Sequence, residues 1–255
     1  MAPSAWLPGL GLACKTLRPP IIGVSGFSAS LARRARRILR ALPMTGNQLL
    51  DLRRRSLVVA EQLGYEINPQ LPHLDSSLRG SRTSEQIATR ALCLSCAVAV
   101  ANGAAALAAL EWASSQSLLT EFSPLEREFL NSPRNSFRAK FLGQEEALWA
   151  LAWAGGLHEK LAFDTYCDSR LAKMFPNFVR AEAIDPFLTT IAVRNDLEVL
   201  GALDLAYCLH WAIVQDEILG REVSHPVDSY VIVERRRALE WLMSEQNWDE
   251  INLDT

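Results

Sequence analysis

A chain of 255 residues with 49% apolar and 22% charged side chains has the make-up of a folded globular protein. That excludes a disordered chain, a collagen-like chain and a small disulfide scaffold. The net charge of −3 hides an uneven distribution. Residues 1–44 hold seven basic side chains (Lys15, Arg18, Arg33, Arg34, Arg36, Arg37, Arg40) and no acidic one, so the remainder carries 19 basic and 29 acidic groups, a balance of −10.

Residues 1–30 are crowded with Pro, Gly and Ser, and no helical or strand period survives. Residues 31–42 read as a short basic helix. A transit peptide, a membrane-touching helix and a poorly structured extension ahead of a start at Met44 all fit this stretch. The last is the expectation adopted, because Thr45 follows Met44 as an N-cap and opens a clean helical pattern.

From there the pattern is helical almost throughout. Leu49, Leu52, Ser56, Val59, Ala60 and Leu63 mark one face, and Gly64 is a natural stop. Thr83 with Gln86 forms a capping box that predicts a helix to about Asn102–Gly103, and a second helix follows to about Ser115. Ser123-Pro124-Leu125-Glu126 is a stronger start, and Ser132-Pro133 reads as another, with one helix running through Trp149 and Trp153 to Gly155-Gly156. Asp185-Pro186 and Asn195-Asp196-Leu197-Glu198 are two further starts, the last leading a long helix to about Gly220. Val231–Met243 is a final amphipathic helix, and Tyr230–Val233 is the one short strand candidate. The expected architecture is all-α: a single multi-helix, bundle-like domain over residues 45–255, behind a poorly structured basic extension, residues 1–44. Residues 91–110 carry no charge over a transmembrane length. They are rich in alanine and broken by Asn102-Gly103, which favours a buried hairpin and no integral membrane segment.

Five scattered cysteines (Cys14, Cys93, Cys96, Cys167, Cys208) do not form a disulfide framework, and a reducing cytoplasmic location is expected. Cys93 and Cys96 have metal-like spacing without a second pair. The one conceivable zinc set joins them to Cys208 and His210, against a reading as small buried thiols, so no metal and no cofactor are expected. Protease, hydrolase-elbow, P-loop and dinucleotide motifs are missing from the sequence. The candidate polar pocket comprises Glu198, Asp204, Tyr207, His210, Glu234 and Arg235. Asp204, Tyr207 and Trp211 share a helix face, whereas Glu198 and His210 lie about 120° to either side. The structural alternative is a set of ion pairs fixing helix register, for example Arg235 or Arg194 with Glu198 or Asp204. Arg53-Arg54-Arg55 and Arg235-Arg236-Arg237 point to different sides of their helices and make no phosphate patch; with the balance of −10, nucleic acid is not an expected partner.

Several segments together resemble an uncharacterised bacterial family, domain-of-unknown-function family four-two-seven-two. They include Arg194-Asn195-Asp196-Leu197-Glu198-Val199-Leu200, Asp204-Leu205-Ala206-Tyr207 with His210-Trp211-Ala212, the run Val233–Leu242, and Trp248-Asp249. Upstream, Leu63-Gly64-Tyr65, Ile87-Ala88 with Arg90-Ala91-Leu92, Ser123-Pro124 with Glu126, and Leu148–Ala154 are similar to it as well. The likeness covers about Leu49 to Thr255. Gly201 and Cys208 depart from it, standing where an acid and an arginine are expected. The family brings no activity with it. The leading expectation is a non-catalytic cytoplasmic protein that binds another protein as an adaptor, inhibitor or immunity-type factor, its acidic surface meeting a basic partner. The alternative is an enzyme using the candidate pocket.

Overall fold

Caps written into the sequence start and stop most of the helices. The computed structural model describes residues 45–75, 78, 80–133 and 135–254. The basic extension and its helix candidate therefore lie outside the described residues. Helix α1 (Gly46–Gln62) begins at Thr45, which forms a reciprocal capping box with Gln48. It ends at Gly64, whose φ of +82° lets the Tyr65 N–H reach Ala60 O at 3.0 Å. Helix α2 (Ser84–Ala101) starts from the Thr83–Gln86 capping box and stops at Asn102 and Gly103. Helix α3 (Ala106–Ser115) follows, so residues 91–110 form two helices joined by a turn. Helix α4 (Pro124–Asn131) has Ser123 as N-cap, proline in its first turn and Glu126 closing the box.

Three expectations need correction. The helix predicted through Trp149 and Trp153 is two helices, α5 (Asn135–Gly143) and α6 (Glu145–Ala154). The break falls at Gly143 and Gln144, and glycine is a poor helix former. Ser132 follows the end of α4 rather than opening the next helix: its N–H bonds Glu128 O at 3.1 Å. Tyr230–Val233 is not a strand but the first turn of α9 (Ser229–Met243). Adjacent Val231 and Ile232 are both fully buried, which suits a helix sunk into the core and not an alternating strand. Among the described residues there is no strand.

The remaining elements are α7 (Asp185–Thr190), α8 (Asp196–Ile218) and 3₁₀ turns at Leu171–Met174, Phe178–Arg180 and Trp248–Glu250. Helix α8 is the centre: α9 and α1 both pack on it, α9 continues onto α6, and α6 meets α2. Helix α2 also touches α3, α4 and α5. One continuous apolar core runs through all of these. The turn after α6 aims the start of α8. Gly156 has φ +79° and approaches so closely that a Cβ would lie 2.7 Å from Ala192 O. The Arg194 N–H bonds Ala154 O at 3.0 Å, and Asn195 next caps α8.

Candidate functional site

Helix α8 is apolar on nearly every side, so each buried polar group on it needs a partner from elsewhere in the fold. Asp204 is buried and takes a two-pronged contact from Arg53 of α1, with Nη2 at 2.8 Å and Nε at 3.2 Å. Arg53 is itself buried and spends its remaining donors on Leu71 O and Pro72 O. One turn on, the Tyr207 ring lies between two guanidinium groups, 5.7 Å from Arg53 Cζ and 4.9 Å from Arg236 Cζ. Arg236 of α9 donates through Nη1 to His210 Nδ1 at 2.7 Å and also binds the carbonyls of Leu253 and Asp254. Asp204, Tyr207 and His210 are thus linked through Arg53 and Arg236, and the linkage is a series of clamps.

His210 must offer Nδ1 as an acceptor, because a guanidinium has no acceptor to give. Its ring is accordingly neutral, and burial together with the Arg236 charge pushes its pKa down to about 4. A histidine neutral in the fold but protonated in the unfolded chain weakens the fold as pH falls through the interval between the two pKa values. Stability should therefore drop between about pH 6.5 and pH 4, by on the order of 3 kcal/mol from this group at full protonation. His210→Gln keeps an acceptor for Arg236. Urea titrations at pH 7 and pH 4.5 should show a smaller acid loss in that variant. An equal loss in both proteins excludes the assignment.

The other sequence candidates lie elsewhere. Glu198 sits in the first turn of α8, paired with Arg194 at 3.3 Å as read from the sequence. Glu234 pairs with Arg237 along α9 at 2.9 Å. Arg235 does not meet Glu198 or Asp204. It is fully buried and grips Glu146 of α6 through Nη2 at 2.6 Å and Nε at 2.9 Å. It also donates to Ala162 O and Thr165 O. The structure does not gather the zinc set. Cys93 and Cys96 are buried on α2, while Cys208 and His210 are on α8, where Arg236 holds Nδ1. Burial raises the Cys96 and Cys208 thiols to about 12 and drives Cys93 upward too, so none is a reactive thiolate. At Gly201 a Cβ would lie 3.3 Å from Leu52 Cδ2, so a larger side chain there needs the Leu52 methyl of α1 to give way by a few tenths of an ångström.

Sequence reasoning missed a second polar centre. Arg90 of α2 is buried against Glu126 of α4, which is fully buried and also accepts the Ser123 N–H at 2.9 Å. Asp249 completes it, taking the Ser123 hydroxyl and the Leu125 N–H, each at 3.0 Å. Above this centre opens a cleft of roughly 750 Å³, lined among others by Arg82, Glu85, Glu121, Trp241, Trp248 and Glu250. The signal was present in the sequence: Arg53, Arg90 and Arg235 each occupy a position on an apolar stripe, where a charge implies a buried partner.

A family model, Domain of unknown function (DUF4272), matches residues 52–251, well over half of the chain. The chain belongs to that family. In this DUF4272 domain the match takes in Arg53, Arg90, Glu126, Glu146, Asp204, Arg235 and Arg236, and hence every buried ion pair described above. No curated protein and no solved structure matches the chain.

Proposed function

We propose that this chain is a non-catalytic protein-binding protein of the cytoplasm, acting as an adaptor or inhibitor on a basic partner. One observation carries the reading: Asp204 and His210, the acid and base at the centre of the candidate pocket, are committed to holding helices together, Glu234 and Glu198 are ion-paired to neighbours in sequence, and the thiols are buried. Asp204 serves Arg53, His210 serves Arg236, Glu234 serves Arg237, and the thiols are buried and protonated. General acid–base work needs a group free to exchange protons with a substrate. The acidic balance of residues 45–255 supports a basic partner. The free thiols among the described residues, Cys93, Cys96, Cys167 and Cys208, are in keeping with a reducing compartment. Helix α8 is long and apolar enough to cross a membrane, but half of its most apolar stretch is buried inside the fold and it carries the Asp204–Arg53 pair. We read it as a core helix.

Affinity capture of the full chain at native expression and low salt should recover one partner in fixed ratio. Recovery of the bare protein would count against the reading. Asp204→Asn should lower stability by about 2–4 kcal/mol, since Arg53 keeps two carbonyl acceptors but loses its counter-charge. In the folded fraction, partner binding should persist. Loss of a measurable enzymatic turnover in Asp204→Asn at unchanged melting temperature would overturn the proposal.

A further inference from the structure

We infer that the cleft between the first turns of α2 and α4 and the segment 241–250 is the docking site for an extended, basic segment of a partner protein. The inference rests on the protein-binding reading and names its site and ligand chemistry. A volume of roughly 750 Å³ is within the range of ligand-holding clefts and suits a few residues of extended chain.

Two features of the lining select the occupant. The first is a pair of donors. Arg90 Nε and Trp248 Nε1 belong to cleft-lining residues that are 6% and 4% exposed, and neither finds an acceptor among the described residues. A buried donor without a partner costs about 1–3 kcal/mol and calls for an acceptor. Both N–H groups are closed to solvent in this structure, so an acceptor reaches them only when the Trp248 ring, 5.2 Å from the Arg90 guanidinium, turns on docking. The second is the charge at the mouth. Arg90 is neutralised by Glu126, and Asp249 is held by Ser123 and Leu125. The exposed carboxylates Glu85, Glu121 and Glu250 then face one half-buried cation, Arg82, which lies 4.4 Å from the Trp241 ring.

A free carboxylate or phosphate would satisfy the donors but would have to pass three exposed acids. A peptide carbonyl is a neutral acceptor, and lysine or arginine side chains on the same segment meet the acids at the mouth. A single extended basic segment satisfies both features.

The test titrates the full chain with a fluorescein-labelled peptide alternating lysine and glycine, and with its glutamate–glycine counterpart. The lysine peptide should bind saturably at one site, and the glutamate peptide should not. Glu85→Lys combined with Glu121→Lys should weaken the lysine peptide about tenfold or more. Glu121→Lys alone lies outside the helices, leaves the start of α2 intact and should retain part of that loss. Trp248→Phe should weaken binding about fivefold through loss of the N–H. Glu61→Lys, exposed on α1 away from the cleft, should change affinity by less than about twofold. Equal weakening by Glu61→Lys, no weakening by the cleft variants, or preference for the glutamate peptide overturns the inference. A captured partner whose affinity ignores Glu85→Lys and Glu121→Lys also overturns it, while leaving the protein-binding reading intact. Absence of any partner removes that reading instead.

Discussion

Glu146→Gln is expected to lower the unfolding free energy of the full chain by about 3–5 kcal/mol, the largest single-site effect among the polar residues. Arg235 and Glu146 have side chains 0% and 1% exposed, so neither charge falls back on water when its partner is removed. Glutamine keeps the shape and can still accept the Cys167 N–H, which Glu146 Oε1 now takes at 2.9 Å. What it loses is the counter-charge of a guanidinium sealed between α6 and α9. Small domains are stable by about 5–15 kcal/mol, so a large part of the margin would go. Urea titration followed by circular dichroism measures it. The exposed pair Arg54–Asp51 on α1 is the control, where Asp51→Asn should cost less than about 1 kcal/mol. A Glu146→Gln cost as small as that control would mean that Arg235 is held by the Ala162 and Thr165 carbonyls alone. Replacing both partners by Leu and Met should recover only part of the loss, because those two carbonyls and the Cys167 N–H would then lack partners.

The same arrangement recurs across the molecule. Arg53 ties α1 to α8, Arg90 ties α2 to α4, Arg235 ties α9 to α6, and Arg236 ties α9 to α8 and to the C-terminal segment. Of the helices that these arginines join, α2, α6 and α8 are rich in alanine and leucine, whose smooth surfaces pack in many registers with similar energy. A buried charge that reaches its acceptor in one register only selects among them. Such pairs add little net stability over apolar residues of equal volume, yet each is costly to break.

That division also explains what could be read from the chain. Helix starts at Thr45, Thr83, Ser123 and Asn195 were legible because a cap and its third-position partner lie within one turn. The all-helical class followed from those caps and from the apolar stripes between them. The break at Gly143 was not legible, since an isolated glycine inside a helical pattern is often tolerated. Pairings were not legible either: Arg53 meets Asp204 across 151 positions, Arg235 meets Glu146 across 89, and Arg90 meets Glu126 across 36. A charge on an apolar stripe reveals that a partner exists and leaves open which residue it is. For that reason Asp204 and His210 looked like acid–base candidates, while Arg53 and Arg236, the residues that commit them, read as members of featureless arginine runs.

Glu126 is the second position where a large effect is expected, and there two contributions can be separated. One oxygen pairs with Arg90 and the other accepts the Ser123 N–H at 2.9 Å, closing the capping box of α4. Glu126→Gln retains a carbonyl oxygen for Ser123 but removes the counter-charge of buried Arg90, and should cost about 3 kcal/mol. Glu126→Ala removes the cap as well and should cost about 1 kcal/mol more. Ser123→Ala isolates the other half of the box: it deprives the Glu126 N–H and Asp249 of their hydroxyl partner, at about 1 kcal/mol, with the ion pair untouched. Chemical denaturation should find Glu126→Ala the least stable of the three variants, Glu126→Gln next and Ser123→Ala the most stable. If Glu126→Gln proves as mild as Ser123→Ala, the charge of Glu126 is dispensable, and what the residue contributes is the cap and not the ion pair.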